Sequence, residues 1–212
     1  LGAVQCDGQT MDCFPIKGVI WYQGEANVGR SEQYEDLFPA LITDWRRQWR
    51  SDFPFYFVQL ANFMESKKIQ PDSEWAALRE AQTKALKLDQ VGMAVTIDIG
   101  LADDIHPKNK QEVGRRLALV ALAGSYGKNV SSSAPVFQNY IIKGNKMELD
   151  FGQKQDGFQI KGTTLKGFTI AGPDRVFYPA EAMVHDGKII LSSTEVPAPL
   201  AARYGWADNP DC

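Results

Sequence analysis

The sequence predicts an α/β fold, a parallel sheet with flanking helices, followed by a β-rich C-terminal region. Three observations lead there. Over residues 1–130, short apolar runs alternate three times with amphipathic stretches, and such alternation implies parallel strands joined by right-handed crossovers. Ser131-Ser132-Ser133-Ala134-Pro135 then reads as a linker. Residues 131–212 carry short β-type runs separated by Gly-Asn, Asp-Gly and Gly-Pro punctuation.

Element by element, Ile16–Tyr22 reads as a buried strand, and Gly24-Glu25-Ala26-Asn27 as the loop at its C-terminal end. Tyr34, Leu37, Phe38, Leu41, Ile42, Trp45 and Trp49 recur at helical spacing, with Ser31 placed to cap the start. Phe53–Leu60 is nearly all apolar, as a strand covered on both faces should be. Trp75–Leu88 is a second amphipathic helix with Ser73 as its cap, rich in strong helix formers. Val91–Ile99 is a third buried strand, and Asn109–Ala123 a third helix with Gly124 and Gly127 beyond its end. In the C-terminal region, strands are expected at Val136–Ile142, Lys146–Phe151, Leu165–Ile170, Ala180–His185, Ile189–Ser192 and Leu200–Trp206. Asp186-Gly187 is a strong hairpin signal.

Composition narrows the function classes. A chain of 212 residues with 44% hydrophobic and 23% charged residues has ample material for a core and is ordinary for a globular protein. The net charge is −3, with lysines and arginines scattered, which argues against nucleic acid or an anionic membrane as a partner. No apolar run approaches the roughly 20 residues that a membrane-spanning helix needs. The three cysteines, Cys6, Cys13 and Cys212, match no zinc or redox spacing. The start carries no signal peptide or initiator methionine, the end has no closing element, and both ends read as cut.

The richest segment chemically is Asp103-Asp104-Ile105-His106-Pro107, which holds one of only two histidines. An acidic residue shortly before a histidine can accept the proton of one ring nitrogen, fixing the tautomer and freeing the other nitrogen as a base. Pro107 suits the first position of a helix, whose amide ends would discourage protonation of the ring. Asp98, Asp103 and Asp104 could each orient His106, and a bare histidine between carboxylates can equally be a surface or metal-binding detail. The second candidate is Gln23-Gly24-Glu25 after the first strand. Glycine lets backbone amides approach a substrate, and the glutamine amide can donate to a developing oxyanion; a plain strand-to-helix turn with a capping glutamate explains it as well. Trp21 either lines a pocket beside this loop or packs in the core. His185 beside Asp186-Gly187 reads as a solvated turn residue, and the Trp45–Trp49 pair as core. Both candidate loops fall at C-terminal ends of parallel strands, where open sheets bind ligands, so they are expected to meet. Two histidines and clustered aspartates do not make a closed zinc ligand set.

Several blocks together resemble the sialate O-acetylesterases of the SGNH hydrolase superfamily. They are Ile16-Lys17-Gly18-Val19-Ile20-Trp21-Tyr22-Gln23-Gly24-Glu25-Ala26-Asn27, Ala77-Leu78-Arg79-Glu80-Ala81-Gln82, Gly92–Gly100, Asp104–Gln111, Gly114–Leu119, Gly167–Gly172 and Tyr204-Gly205-Trp206-Ala207-Asp208-Asn209-Pro210. The likeness covers nearly the whole chain from Ile16 onward. It implies an SGNH-type parallel core over 1–130, a β-rich region over 131–212, and removal of acetyl groups from sugar hydroxyls by a serine mechanism without metal or cofactor. It implies His106 as the base, with the superfamily spacing selecting Asp103 as its partner and the recurrent Asp-Ile-His-Pro string selecting Asp104. Gln23, Gly24 and Glu25 match the block that contributes to the oxyanion region. The substrate is then an acetylated sugar, a sialic acid above all, and the compartment periplasmic, secreted or lysosomal. The family's nucleophile sits in a Gly-Gln-Ser-Asn-Met segment on the first strand. Here Gly8-Gln9-Thr10-Met11 echoes it with threonine, too close to the next block and preceded by no apolar strand. The expectation is a C-terminal portion of an esterase whose serine comes from another segment or chain. A catalytically inactive carbohydrate-binding or interaction module on the same scaffold is the alternative.

Overall fold

A computed structural model describes residues 5–6, 9–10, 16–67, 72–132, 135–152 and 164–212, with only the backbone at 5–6 and 9–10. The chain divides into two compact units. The first comprises Leu1–Ala61, Ala77–Thr96 and Lys108–Ser133; the second comprises Asn62–Ala76, Ile97–Pro107 and Ala134–Cys212. The second unit therefore takes two segments from the strand–helix half of the sequence.

In the first unit, β1 (Gln5–Cys6) and β2 (Gln9–Thr10) form a minimal antiparallel pair that the sequence did not announce. The unit is organised by β3 (Val19–Trp21), β4 (Phe55–Val58) and β5 (Val91–Ala94), in the order β3-β4-β5. Both pairings are parallel, with Val19 opposite Phe55 and Phe55 opposite Val91. Every residue of the central β4 is buried, as a parallel strand covered on both faces must be. All three strands are shorter than their apolar runs, because the ladder stops before the apolar residues do. Among the described residues β3 is an edge strand, and its Ile20 is 71% exposed.

Helix α1 (Ser31–Trp49) lies on the predicted period and buries Tyr34, Phe38 and Ile42. Ser31 is its first residue rather than its cap. Arg30 holds the cap position without a side-chain bond, because its guanidinium carries only donors and cannot accept a first-turn N–H; its own N–H is bonded to the carbonyl of Asn27 at 2.9 Å. Helix α2 (Glu74–Thr83) continues as a 3₁₀ turn over Lys84–Lys87, and the Ser73 hydroxyl accepts the Ala76 N–H at 2.9 Å as expected of a cap. Helix α3 (Lys110–Gly124) begins after Asn109, whose side chain accepts the Glu112 N–H at 3.1 Å. Pro107 is thus not the first helical residue; Asn109 is the better cap, since its amide oxygen reaches an otherwise unpaired N–H. Trp45 and Trp49 pack with ring centroids 6.1 Å apart.

The second unit holds β6 (Asn139–Lys143), β7 (Lys146–Asp150), β8 (Phe168–Ala171), β9 (Phe177–Pro179), β10 (Glu181–His185), β11 (Lys188–Ser192) and β12 (Ala201–Tyr204). They form two antiparallel sheets, β10-β11-β7-β6 and β12-β8-β9. Met147, Leu149, Ile189 and Leu191 from the first and Phe168 and Ile170 from the second form one buried core with Val196. Asp186 and Gly187 both adopt positive φ, 49° and 72°, the twist that a two-residue hairpin turn requires. Strand β9 had no sequence signal, being three residues long and ending in proline.

Close packing of α3 on β5 rests on an absent side chain. A Cβ on Gly92 would lie 2.5 Å from Val120 Cγ1 and 3.0 Å from Tyr56 Cδ1. Gly92→Ala should therefore destabilise the fold by about 1–3 kcal/mol, the usual cost of overpacking. Urea unfolding measures this, and an unchanged midpoint would mean that α3 moves away freely.

Candidate active site

The first-unit loop Gln23-Gly24-Glu25 leaves the C-terminal end of β3 as the sequence placed it. Gly24 is buried at φ 157°, ψ −23°, a conformation side-chain-bearing residues rarely adopt. A Cβ there would also press on the Gln82 amide at 3.2 Å and on Leu60 at 3.3 Å. The Gln23 side chain is gripped from two sides. Its Nε2 donates to Asn27 Oδ1 at 2.6 Å, and its Oε1 accepts from the Tyr34 hydroxyl at 3.2 Å. One amide hydrogen of Gln23 remains beyond the bond to Asn27. The Gln23 carbonyl accepts from Gln82 Nε2 at 3.2 Å. Glu25 opens a short 3₁₀ turn, Glu25–Asn27, and its carboxylate is half-buried. Burial, and then the Glu25 charge, push the Tyr22 hydroxyl above its ordinary value. The Trp21 ring lies inside an aromatic group, stacked on Phe38 at 6.5 Å and edge-on to Trp45 at 5.7 Å. Its indole Nε1 is buried, and against the larger effect of burial Trp21 acts to lower the pKa of the Tyr34 hydroxyl.

The histidine segment belongs to the second unit. Asp104 Oδ1 accepts the backbone N–H of His106 at 2.9 Å and lies 3.6 Å from the same residue's Nδ1. Asp104 therefore braces the turn and faces one ring nitrogen, while the His106 side chain is 85% exposed. The Asp103 side chain is exposed, and Pro107 is buried. His185 stands 3.2 Å from Asp186 Oδ2 at its hairpin and is exposed, a solvated turn residue. Among the described residues no group of three or more His, Cys, Asp or Glu side chains could hold a metal ion. No described helix is long and apolar enough to cross a membrane. Of the Gly8-Gln9-Thr10-Met11 echo, Gly8 and Met11 lie outside the described residues, as does Cys13. The backbone of Gln9–Thr10 pairs with Gln5–Cys6.

Chemically, the first set offers amide donors fixed by bonds on several sides, as an oxyanion-binding loop requires. The second offers an exposed imidazole whose Nδ1 lies 3.6 Å from the Asp104 carboxylate, longer than a hydrogen bond, a group whose chemistry suits a general base. The two sets fall in different units.

Comparison with known proteins gives a consistent result. Residues 4–123, more than half of the chain, match the family described as carbohydrate esterase, sialic acid-specific acetylesterase. The sialate O-acetylesterase of Mus musculus is 39% identical over 92% of this chain and 40% of its own length. That of Homo sapiens is 37% identical over 74% of this chain and 33% of its own length. The crystal structure of a carbohydrate acetylesterase from Xanthomonas citri superposes with a TM-score of 0.86 at 44% identity, over 95% of this chain and 48% of that one. The chain thus spans less than half the length of these relatives.

Tyr34 and Gln82 were not singled out by sequence reasoning. Tyr34 looked like one more apolar-face residue of α1, and Gln82 like one more polar residue of α2. Only their positions beneath Gln23 reveal their use. Burial pushes the Tyr34 hydroxyl up to about 12, with the Glu25 carboxylate acting in the same direction, so it stays a neutral donor to Gln23 at physiological pH. A folded-state value raised above the ordinary one stabilises fully below pH 10 and is lost as pH rises toward 12. In a tyrosinate absorbance titration, Tyr34→Phe should remove one step near pH 12. Denaturant unfolding should show the variant losing less stability than the parent between pH 10 and 12. A step lost near pH 10 would mean that Tyr34 is solvated.

Proposed function

Because this chain belongs to the sialic acid-specific acetylesterases, a carbohydrate esterase family, we propose that it serves the hydrolysis of acetyl esters on sugar hydroxyls, with His106 as the general base. The observation that carries this reading is the pairing of His106 Nδ1 with Asp104 Oδ1 at 3.6 Å on an exposed turn. Drawn in to hydrogen-bond length as substrate binds, that contact would hold the Nδ1 proton and leave Nε2 as acceptor of a nucleophile's proton. Asp104 rather than Asp103 is the orienting acid in this reading. Its relatives' names, sialate O-acetylesterase, favour an O-acetylated sialic acid as substrate.

The proposed reaction is a two-step acyl transfer. A serine hydroxyl adds to the acetyl carbonyl as His106 Nε2 takes its proton, and the oxyanion is held by donors that include Gln23 and the Gly24 backbone. The tetrahedral adduct expels the sugar alkoxide, which receives the proton from His106. Water, deprotonated by the same nitrogen, then releases acetate and restores the serine. We place that serine in a strand outside these 212 residues. No Gly-Gln-Ser string occurs in the sequence, and among the described residues β3 is an edge strand, beside which a further parallel strand would pair.

The test is hydrolysis of an aryl acetate and of an O-acetylated sialic acid by the full-length gene product. His106→Ala should lower turnover by on the order of 10⁴-fold, as in other triads; a tenth of the activity surviving would overturn the assignment. The 212-residue chain alone should hydrolyse no faster than its His106→Ala variant, and a separate polypeptide bearing a Gly-Gln-Ser strand should restore His106-dependent turnover. His106-dependent turnover by the isolated chain would sink the external serine. Sugar binding without any turnover by the full-length protein would favour an inactive carbohydrate-binding module.

A further inference from the structure

The segment that carries His106 is tied down by a chain of amide side chains that the reaction itself does not use. Asn62 Oδ1 accepts the Gly100 N–H at 2.6 Å, and the next residues, Phe63 and Leu101, form a parallel β-bridge. Asn62 Nδ2 donates to Asn209 Oδ1 at 2.7 Å, and Asn209 Nδ2 donates to the Met64 carbonyl at 2.7 Å. Met64 stands at φ 70°, a conformation non-glycine residues hold only where their surroundings impose it. The Phe63 N–H reaches the Asp208 carbonyl at 3.1 Å, and the buried Asp208 carboxylate accepts from the buried Ser73 hydroxyl at 2.6 Å. Each amide thus both donates and accepts, and three stretches far apart in sequence meet at Asn62.

The contact at Gly100 admits no side chain. A Cβ there would overlap the Asn62 carbonyl oxygen and lie 2.6 Å from Asn62 Oδ1. Any side chain at position 100 would therefore force this segment away from Asn62. Six residues later the chain reaches His106, where Asp104 takes the backbone N–H and buried Pro107 closes the segment. A base must be held to a fraction of an ångström to be useful, and the His106 side chain is itself 85% exposed, so packing around the ring does not hold it.

We propose that Asn62, locked in orientation by Asn209, is a positioning residue that sets the path of the segment Gly100–Pro107 and thereby the placement of His106. This rests on the reading of His106 as the base, and the test separates the two. In the full-length gene product, Asn62→Ala should lower kcat by roughly 10²-fold, the usual cost of a misplacement near 1 Å, with KM within a factor of two. The Gly100 amide should lose its protection from hydrogen exchange. Asn62→Asp keeps an acceptor for the Gly100 N–H and should recover much of both. Asn209→Asp, which can still accept from Asn62 Nδ2, should fall between them and serves if Asn62→Ala folds poorly. Asn62→Ala within twofold of the parent kcat, alongside an inactive His106→Ala, would overturn the positioning role and leave the base in place. Parallel loss of kcat, KM and thermal midpoint, unrelieved by Asn62→Asp, would also overturn it, marking Asn62 as merely structural. If His106→Ala stays active, the base assignment fails, and exchange at Gly100 and His106 in Asn62→Ala alone decides whether Asn62 holds the segment.

Discussion

Parallel strands lose their ladder partners where they end, and the backbone groups left there must find others or pay the cost of burial unpaired. In the first unit these ends are finished by buried side chains rather than by more sheet. Gln82, 1% exposed, accepts the Leu60 N–H at 2.9 Å and donates to the Val58 and Gln23 carbonyls at 3.4 and 3.2 Å. Thr96 donates to the Gln59 carbonyl at 2.6 Å, and Gln59 Nε2 donates to the Arg79 carbonyl at 3.0 Å. Because Gln82 bonds the ends of both β3 and β4, the loop carrying Gln23 inherits the rigidity of the central strand.

The aromatic packing beneath serves the same end. Phe38 meets Phe57 edge-on at 5.0 Å and Phe55 at 6.0 Å, so α1 is fixed against β4 by rings with preferred geometry as well as by buried area. Tyr34, one turn earlier on α1 and 5.3 Å from Phe38, is the member of this group that keeps a polar end. Its hydroxyl bonds both the side chain and the carbonyl of Gln23. Trp21, proposed from sequence as either a pocket wall or a core residue, stacks into the group.

The second unit uses short amides in the same way. Asn62 and Asn209 pair side chain to side chain across 147 positions of sequence. The Tyr204–Pro210 block contributes through Asp208 and Asn209, which bind the backbone and side chains of residues 62–73. What looked in sequence like a family signature has a mechanical role here: it anchors the segment that continues through Gly100 toward His106.

Period and composition were enough to read the three parallel strands, the three helices, the Ser73 cap and the Asp186-Gly187 turn, because each depends on residues within a few positions of one another. The nomination of Gln23, Gly24 and His106 as candidates used only strand ends and residue chemistry. The cap of α1 was misplaced at Ser31, since the cap position falls on Arg30, which has no side-chain acceptor, and Pro107 does not open α3, because Asn109 Oδ1 reaches the Glu112 N–H. Tertiary structure alone shows that Asp104 lies 3.6 Å from the His106 ring while Asp103 is exposed, although the two are adjacent and chemically identical. It alone revealed Tyr34, Gln82 and Asn62 as supports, because each acts on a partner 11 to 147 positions away. Local sequence encodes which residues carry donors and acceptors; which of them meet is decided only when distant strands and loops are packed together.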